Sequence, residues 1–256
     1  NALEEGREYT RGWDEYLGYA VCGLGEDRFV ATVPFWQSGG SGDYHKQGCA
    51  YVFSFEDGCS YYVNDNVTNG DAWCSAIGSD ANAGTNRAAP KATVQAILDA
   101  YDLEPGDTVY VDTGFYPLAT NILVGAADSG TSAGFVTFRG SPAGSTLSRT
   151  NWPGIGFLVN SAQYIRVSGL SITGACWHSI HLKSSSHCVL DNVRVRGGGS
   201  MGVYVEDSVS NEFIDVECGR CQYTGFELWD SLDQKLVRVT LWSNAWDGLY
   251  MSDCTN

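Results

Sequence analysis

From Phe157 onward the apolar positions recur every 23 residues. Phe157–Ser179 aligns with Ile180–Gly202, Val203–Gly225, Phe226–Gly248 and the partial copy Leu249–Asn256 without an insertion. The first column reads Phe157, Ile180, Val203, Phe226, Leu249 and the third Val159, Leu182, Val205, Leu228, Met251; further apolar columns start at Val167, Leu170 and Ile172. Each run alternates with period two and is rich in β-branched and aromatic residues, and Gly, Asn, Ser and Asp close it. A short repeat can bury its apolar face only by stacking on its neighbours, and this one has no room for two helices. The pattern predicts stacked coils of short parallel strands, a β-helix, with equivalent residues about 4.8 Å apart.

Upstream the texture changes. Pro90 opens a predicted helix whose Val94, Ile97, Leu98 and Tyr101 form one apolar stripe, ended by Glu104-Pro105-Gly106. This helix suits a lid on the first coil, because open strand edges invite aggregation. Thr108-Val109-Tyr110-Val111 follows as a strand. Residues 59 to 84 are polar and turn-rich, and residues 1 to 58 differ again, so the chain divides into a small β segment, 1–58, and a capped solenoid, 59–256.

Composition narrows the function. The 256 residues are 43% apolar, enough for a continuous core, and carry a net charge of −15. That charge argues against a nucleic-acid partner, which needs clustered Lys and Arg, and fits cation binding or neutral partners. No apolar run is long enough to span a membrane. The nine cysteines, at 22, 49, 59, 74, 176, 188, 218, 221 and 254, favour an oxidising compartment and disulfides. Cys218-Gly-Arg-Cys221 has no second CxxC to complete a zinc site, and the repeat places Cys218 in an inward column, buried or disulfide-bonded. Asn66-Val67-Thr68 is a glycosylation sequon, consistent with an extracellular location.

Two resemblances follow. Tyr16-Leu17-Gly18-Tyr19-Ala20-Val21, Phe29-Val30-Ala31-Thr32-Val33-Pro34 and Gly48-Cys49-Ala50-Tyr51-Val52-Phe53 together resemble one FG-GAP repeat of integrin-type propellers, either a last blade or a small antiparallel sheet. Gly78-Ser79-Asp80-Ala81-Asn82-Ala83-Gly84-Thr85, Ala89-Pro90-Lys91-Ala92-Thr93-Val94, Pro105-Gly106-Asp107-Thr108-Val109 and Val136-Thr137-Phe138-Arg139-Gly140 resemble the opening of pectate-lyase-like proteins, over residues 60 to 256. The second resemblance implies an all-β, right-handed parallel β-helix with an N-terminal cap helix. It does not fix an activity, because that superfamily holds lyases, hydrolases, epimerases, adhesins and phage spikes.

Candidate chemistry collects on one face. In the first strand of each coil, columns two and four face outward if one and three face inward; they carry His181, Tyr204, Glu227, Tyr250 and Lys183, Glu206, Trp229. The preceding turns add Trp177, His178, Tyr223, Trp246 and Asp247. Flat rings, imidazoles and carboxylates suit carbohydrate. As an enzyme, this face offers Lys183 or His181 as the base of a uronate lyase, or Glu206 and Glu227, about 5 Å apart on successive coils, as a retaining glycosidase pair. No catalytic signature accompanies either arrangement, and glycan contact without catalysis or a plain solvated face fits equally. Two sets of oxygen ligands could take calcium: the fifth-column ladder Asp207, Asp230, Asp253, which turn hydrogen bonds would also explain, and Asp80 with Asn82. The fifth copy stops after eight residues, which suggests a longer polypeptide or a further copy stacked on the last coil. The reading these features favour is an extracellular β-helix module of a larger surface or self-assembling protein that contacts carbohydrate; the alternative is a secreted lyase, epimerase or glycoside hydrolase.

Overall fold

In a computed structural model of the protein, the described residues are 58–256 apart from 152, 175, 176 and 256, together with the strand backbones within 1–57. The chain divides into two compact units, Asn1–Asp57 and Gly58–Asn256. In the first, Val21–Gly23, Arg28–Pro34 and Gly48–Ser54 pair antiparallel, and Tyr9–Thr10 pairs with Asp14–Glu15. The side chains and connecting turns on which the propeller resemblance rests lie outside the described residues.

The second unit is a right-handed parallel β-helix built from three parallel sheets of seven, six and six strands. Each coil visits them in turn, for example Ile165–Ser168 in the first, Leu170–Thr173 in the second and Ile180–Lys183 in the third. In the third sheet Phe157 pairs with Ile180, then Val203, Phe226 and Leu249, the register the sequence repeat predicts. The stack also extends upstream of the repeat: Val109 pairs with Phe138 and Phe138 with Val167, while Ile122 pairs with Phe157. Longer turns in these coils take them off the 23-residue period: Val109, Phe138 and Val167 are 29 residues apart, Ile122 and Phe157 are 35.

The corners are made by residues with positive φ that recur at the same 23-residue interval. Between the first and second sheets these are Gly169, Asn192, Asp215 and Arg238; on leaving the third they are Ser161, Ser184, Asp207, Asp230 and Asp253. The left-handed region is tolerated best by Gly, Asn and Asp, which accounts for the aspartate ladder. Asx hydrogen bonds do not: no carboxylate of Asp207 or Asp230 accepts a turn amide among the described residues, and backbone conformation alone places them. Inside, apolar columns stack coil on coil, and the edge-to-face pairs Phe138–Phe157 (5.2 Å) and Phe213–Phe226 (4.8 Å) join the first sheet to the third across the core.

Buried polar ladders, which the apolar pattern does not disclose, seal one corner. The Ser185 amide donates to Ser208 Oγ (3.1 Å) and the Ser208 amide to Ser231 Oγ (3.2 Å). Each hydroxyl in turn donates to a carbonyl two residues earlier, at Lys183, Glu206 and Trp229. Cysteines act as small core residues. Among the described residues Cys59, Cys74, Cys188, Cys218, Cys221 and Cys254 are free thiols, so the expected disulfides are not found there. Cys218 is fully buried between Val195 and Leu241, and burial pushes its thiol well above the ordinary range.

The cap helix is shorter than the apolar stripe predicts. It spans Val94–Leu98, with Thr93 Oγ1 accepting from the Ala96 amide, and it buries Val94 and Ile97. Pro90 lies outside it because Lys91 is extended: its amide donates to Tyr62 O (3.0 Å) and its carbonyl accepts from Asn64 N (2.9 Å). The segment thereby covers the edge of Ser60–Val63. The Lys91 ammonium, itself buried, donates to the carbonyls of Asp80 (2.9 Å) and Asn82 (2.8 Å). The Asp80 carboxylate accepts from the Ala92 and Thr93 amides. The Lys91 ammonium thus holds the backbone carbonyls of this loop, while the side chains of Asp80 and Asn82 tie it to Ala92, Thr93 and the Pro90 carbonyl.

Replacing Ser208 by Ala strands the Ser185 amide in the interior, where an unpaired donor costs about 1–3 kcal/mol. The denaturant midpoint of Ser208→Ala should fall accordingly, whereas Gln222→Ala, at an exposed position without positive φ, should leave it in place; an unchanged midpoint for Ser208→Ala would remove the ladder as a source of stability.

Candidate functional site

The loops that lead from the second sheet into the third, described over 177–179, 197–202, 220–225 and 243–248, precede the third-sheet strands. They are tied coil to coil through their backbones: Ser200 N donates to Trp177 O (2.9 Å), Tyr223 N to Ser200 O (3.3 Å) and Trp246 N to Tyr223 O (3.2 Å). This ladder sets Trp177, Tyr223 and Trp246 in one column on the surface, where they are 45%, 41% and 70% exposed. Tyr223 meets Trp246 edge-on at 4.8 Å. Trp229 and Tyr250, from the strands themselves, are exposed beside them.

Neither His178, in the first of these loops, nor His181, on the strand that follows, is at the surface. His178 is sandwiched between Trp177 (5.0 Å) and Tyr204 (4.8 Å), and His181 lies against both His178 (5.2 Å) and Tyr204 (4.9 Å). Both are buried, as is Glu227. The expectation that column two faces solvent is thus corrected for His181 and Glu227, which point outward from the core and are covered all the same, while Tyr204 is half-buried and Tyr250 exposed. Ser179 joins this layer. Other copies have glycine in its place, Gly156, Gly202, Gly225 and Gly248, and a Cβ on Gly202 would meet the Gly225 carbonyl at 2.5 Å. Ser179 fits because its neighbour across the loop is Gly198, whose Cβ would lie 2.9 Å from Ser179 Oγ. The break in the glycine column was the signal for this residue. Ser179 Oγ, His178 Nδ1 and both His181 nitrogens are buried without a hydrogen bond.

Glu206 is the electrostatic centre. Lys183 Nζ donates to its Oε1 (2.7 Å) and the Tyr204 hydroxyl to its Oε2 (3.1 Å). His181 Nε2 lies 3.2 Å from Oε1 but is not aligned to donate. Burial alone would raise the Glu206 carboxyl, yet Lys183, His181 and Tyr204 together hold it below its ordinary value. The same hydrogen bond raises the pKa of Lys183. His181 is pushed down by burial, partly offset by Glu206. Glu227 goes the other way, raised by burial and then by Asp247.

Register corrects the proposed carboxylate pair. Glu206 lies opposite Trp229 and Glu227 opposite Tyr204, so the two are diagonal neighbours and not successive members of one column. The Lys183–Glu206 pair also has counterparts elsewhere: Arg238 with Asp215 (2.6 Å) and Lys235 with Glu212 bridge successive coils in the same way. Among the described residues no group of three or more His, Cys, Asp or Glu is arranged to hold a metal ion.

Comparison with known proteins bears on the fold. Residues 154–256 match the family described as "Right handed beta helix region". No curated protein matches. Among solved structures the chain is similar to the crystal structure of an alginate lyase from Paenibacillus sp. str. FPU-7, at 17% identity and a TM-score of 0.44, over 63% of this chain and 62% of that one. The chain therefore spans less than two thirds of that lyase. No helix among the described residues is long and apolar enough to cross a membrane.

His178 is held neutral, its pKa pushed down to about 3 first by burial and then by His181. A base depressed in the folded state contributes stability that is complete above its ordinary value of 6.5 and is lost as pH falls toward about 3. His178→Phe keeps the ring stack and removes the titration, so it should flatten the loss of stability on acidification below pH 6.5. An unchanged acid limb in chemical denaturation would show that His178 does not titrate this way.

Proposed function

We infer that this chain is an extracellular carbohydrate-contacting β-helix module, and that its glycan lies along the loop edge of the third sheet. The observation that carries this reading is the exposed aromatic column Trp177, Tyr223 and Trp246, fixed by a backbone ladder beside the ionised Glu206 and Lys183. Aromatic rings present a flat apolar face to the C–H side of a sugar, while a carboxylate and an ammonium take its hydroxyls. Buried, unpaired imidazole nitrogens below the rings add further donors and acceptors within reach of small side-chain movements. Exposed Asn66 and Thr68 leave the sequon open to a glycosyltransferase, in keeping with an extracellular chain.

Catalysis has narrower support. A lysine whose pKa is raised by its ion pair is a poor proton acceptor, which disfavours Lys183 as the base of a lyase. For a hydrolase, Glu227 is pushed up and Glu206 pulled down, the division of labour that an acid and a carboxylate need, but Glu227 is buried and diagonal to Glu206, outside the single-column pair first expected. If that pair is catalytic, Glu227→Gln abolishes release of reducing ends from a polysaccharide panel while leaving glycan affinity intact.

Binding is tested by affinity electrophoresis in gels cast with neutral and uronate polysaccharides. Wild-type protein should be retarded by at least one of them. Trp177→Ala and Trp246→Ala should each weaken that interaction by about 2- to 10-fold, the range of a lost stacking contact. Retardation that is insensitive to both changes would move the glycan off this face.

A further inference from the structure

On the opposite side of the coil, along the corner between the first and second sheets, runs a groove of about 680 Å³. Its size is within the range of small-ligand clefts. Its charge is unlike that of the chain. Arg139, Arg166 and Arg194 line it against a single acid, Asp191, whereas the protein as a whole carries −15.

Most basic residues on this solenoid are matched by a carboxylate on the neighbouring coil; Arg139 is not. Its register neighbours are Tyr110 and Ser168, and it forms no ion pair among the described residues. Arg166 is shared between the Phe135 ring, 4.9 Å from its guanidinium carbon, and Asp191, at a loose 3.9 Å. Arg194 reaches Glu217 at 3.5 Å and is itself more than half exposed. The three guanidinium groups come from three coils, so they recur along the solenoid axis. Between them the floor is polar and small-chained, with Thr137, Ser168 and Ser171, and the Trp73 ring stands at the groove wall.

We propose that this groove binds an acidic polysaccharide, whose carboxylate or sulfate groups meet the arginines in turn while its hydroxyls meet the Thr and Ser floor. Guanidinium groups suit these anions because they offer parallel N–H donors to two oxygens at once. A nucleic acid fits less well: its affinity rests on many phosphate contacts, and here three arginines, two of them already facing Asp191 and Glu217, sit on a strongly acidic chain. The site is separate from the third-sheet face and does not depend on it.

The test is isothermal titration of the full chain at low salt with dextran sulfate, polygalacturonate, uncharged dextran, and a single-stranded oligothymidylate. Dextran sulfate and polygalacturonate should bind, and dextran should not. The double change Arg139→Ala with Arg166→Ala should lower affinity for the acidic polymers by about tenfold or more, the effect of losing charge-assisted hydrogen bonds. Lys235→Ala, which removes an exposed charge outside the groove, should leave it unchanged. Arg139→Gln breaks no ion pair within the described residues and carries the same test if the double variant is unstable. Wild-type affinity in the arginine variants, failure of both acidic polymers to bind, or tighter binding of the oligothymidylate would overturn the proposal.

Discussion

Everything in the second unit depends on the hydrogen bonds that run from each coil to the next. They fix equivalent residues one strand spacing apart, about 4.8 Å, so a choice made at one position constrains the same position in every other coil. The corners enforce this register. A residue with positive φ at each bend turns the chain by the same amount in the same place, and Gly169, Asn192, Asp215 and Arg238 show that the conformation persists even when the side chain changes. Strand pairing and corner geometry together convert a linear repeat into a set of columns.

Columns concentrate chemistry as well as apolar area. Stacked serines can exchange amide and hydroxyl hydrogen bonds down the interior, and opposite charges on successive coils can staple the surface. The same rule that builds staples also builds sites. Lys183–Glu206 is a staple in geometry, yet it lies where the loop ladder exposes a row of aromatic rings. Arg139 breaks the rule in the other direction, as a cation to which the neighbouring coils give no carboxylate.

The sequence discloses what the fixed period carries. The 23-residue columns place the apolar core of the coils from Phe157 to Leu228, with Leu249 and Met251 of the last copy exposed, and the outward columns identify the side chains that gather around Glu206. What lies between the columns was not legible. The upstream coils have longer turns, so Val109, Phe138 and Val167 follow one another at 29 residues and fall outside the 23-residue period even though they pair in one sheet. Periodicity also says which way a side chain points from the strand, not what folds over it; His181 and Glu227 point outward and are buried all the same. Asp207 and Asp230 look like ligands in a list of residue types, but their φ angles identify them as corner residues. Lys91 looks like an unremarkable surface lysine, and only the path of the chain brings its ammonium onto the carbonyls of Asp80 and Asn82.

The central claim is that coil register holds Trp177, Tyr223 and Trp246 in one column as a platform for sugar. Hydroxyl-radical footprinting of the protein with and without oligosaccharides of cellulose and of polygalacturonate tests it directly, because oxidation reports each ring separately. Joint protection of the three rings by the same oligosaccharide, with half-buried Trp73 and exposed Phe115 unchanged by the neutral one, is the predicted result. Oxidation of the three rings at the same rate with and without every oligosaccharide would contradict the account.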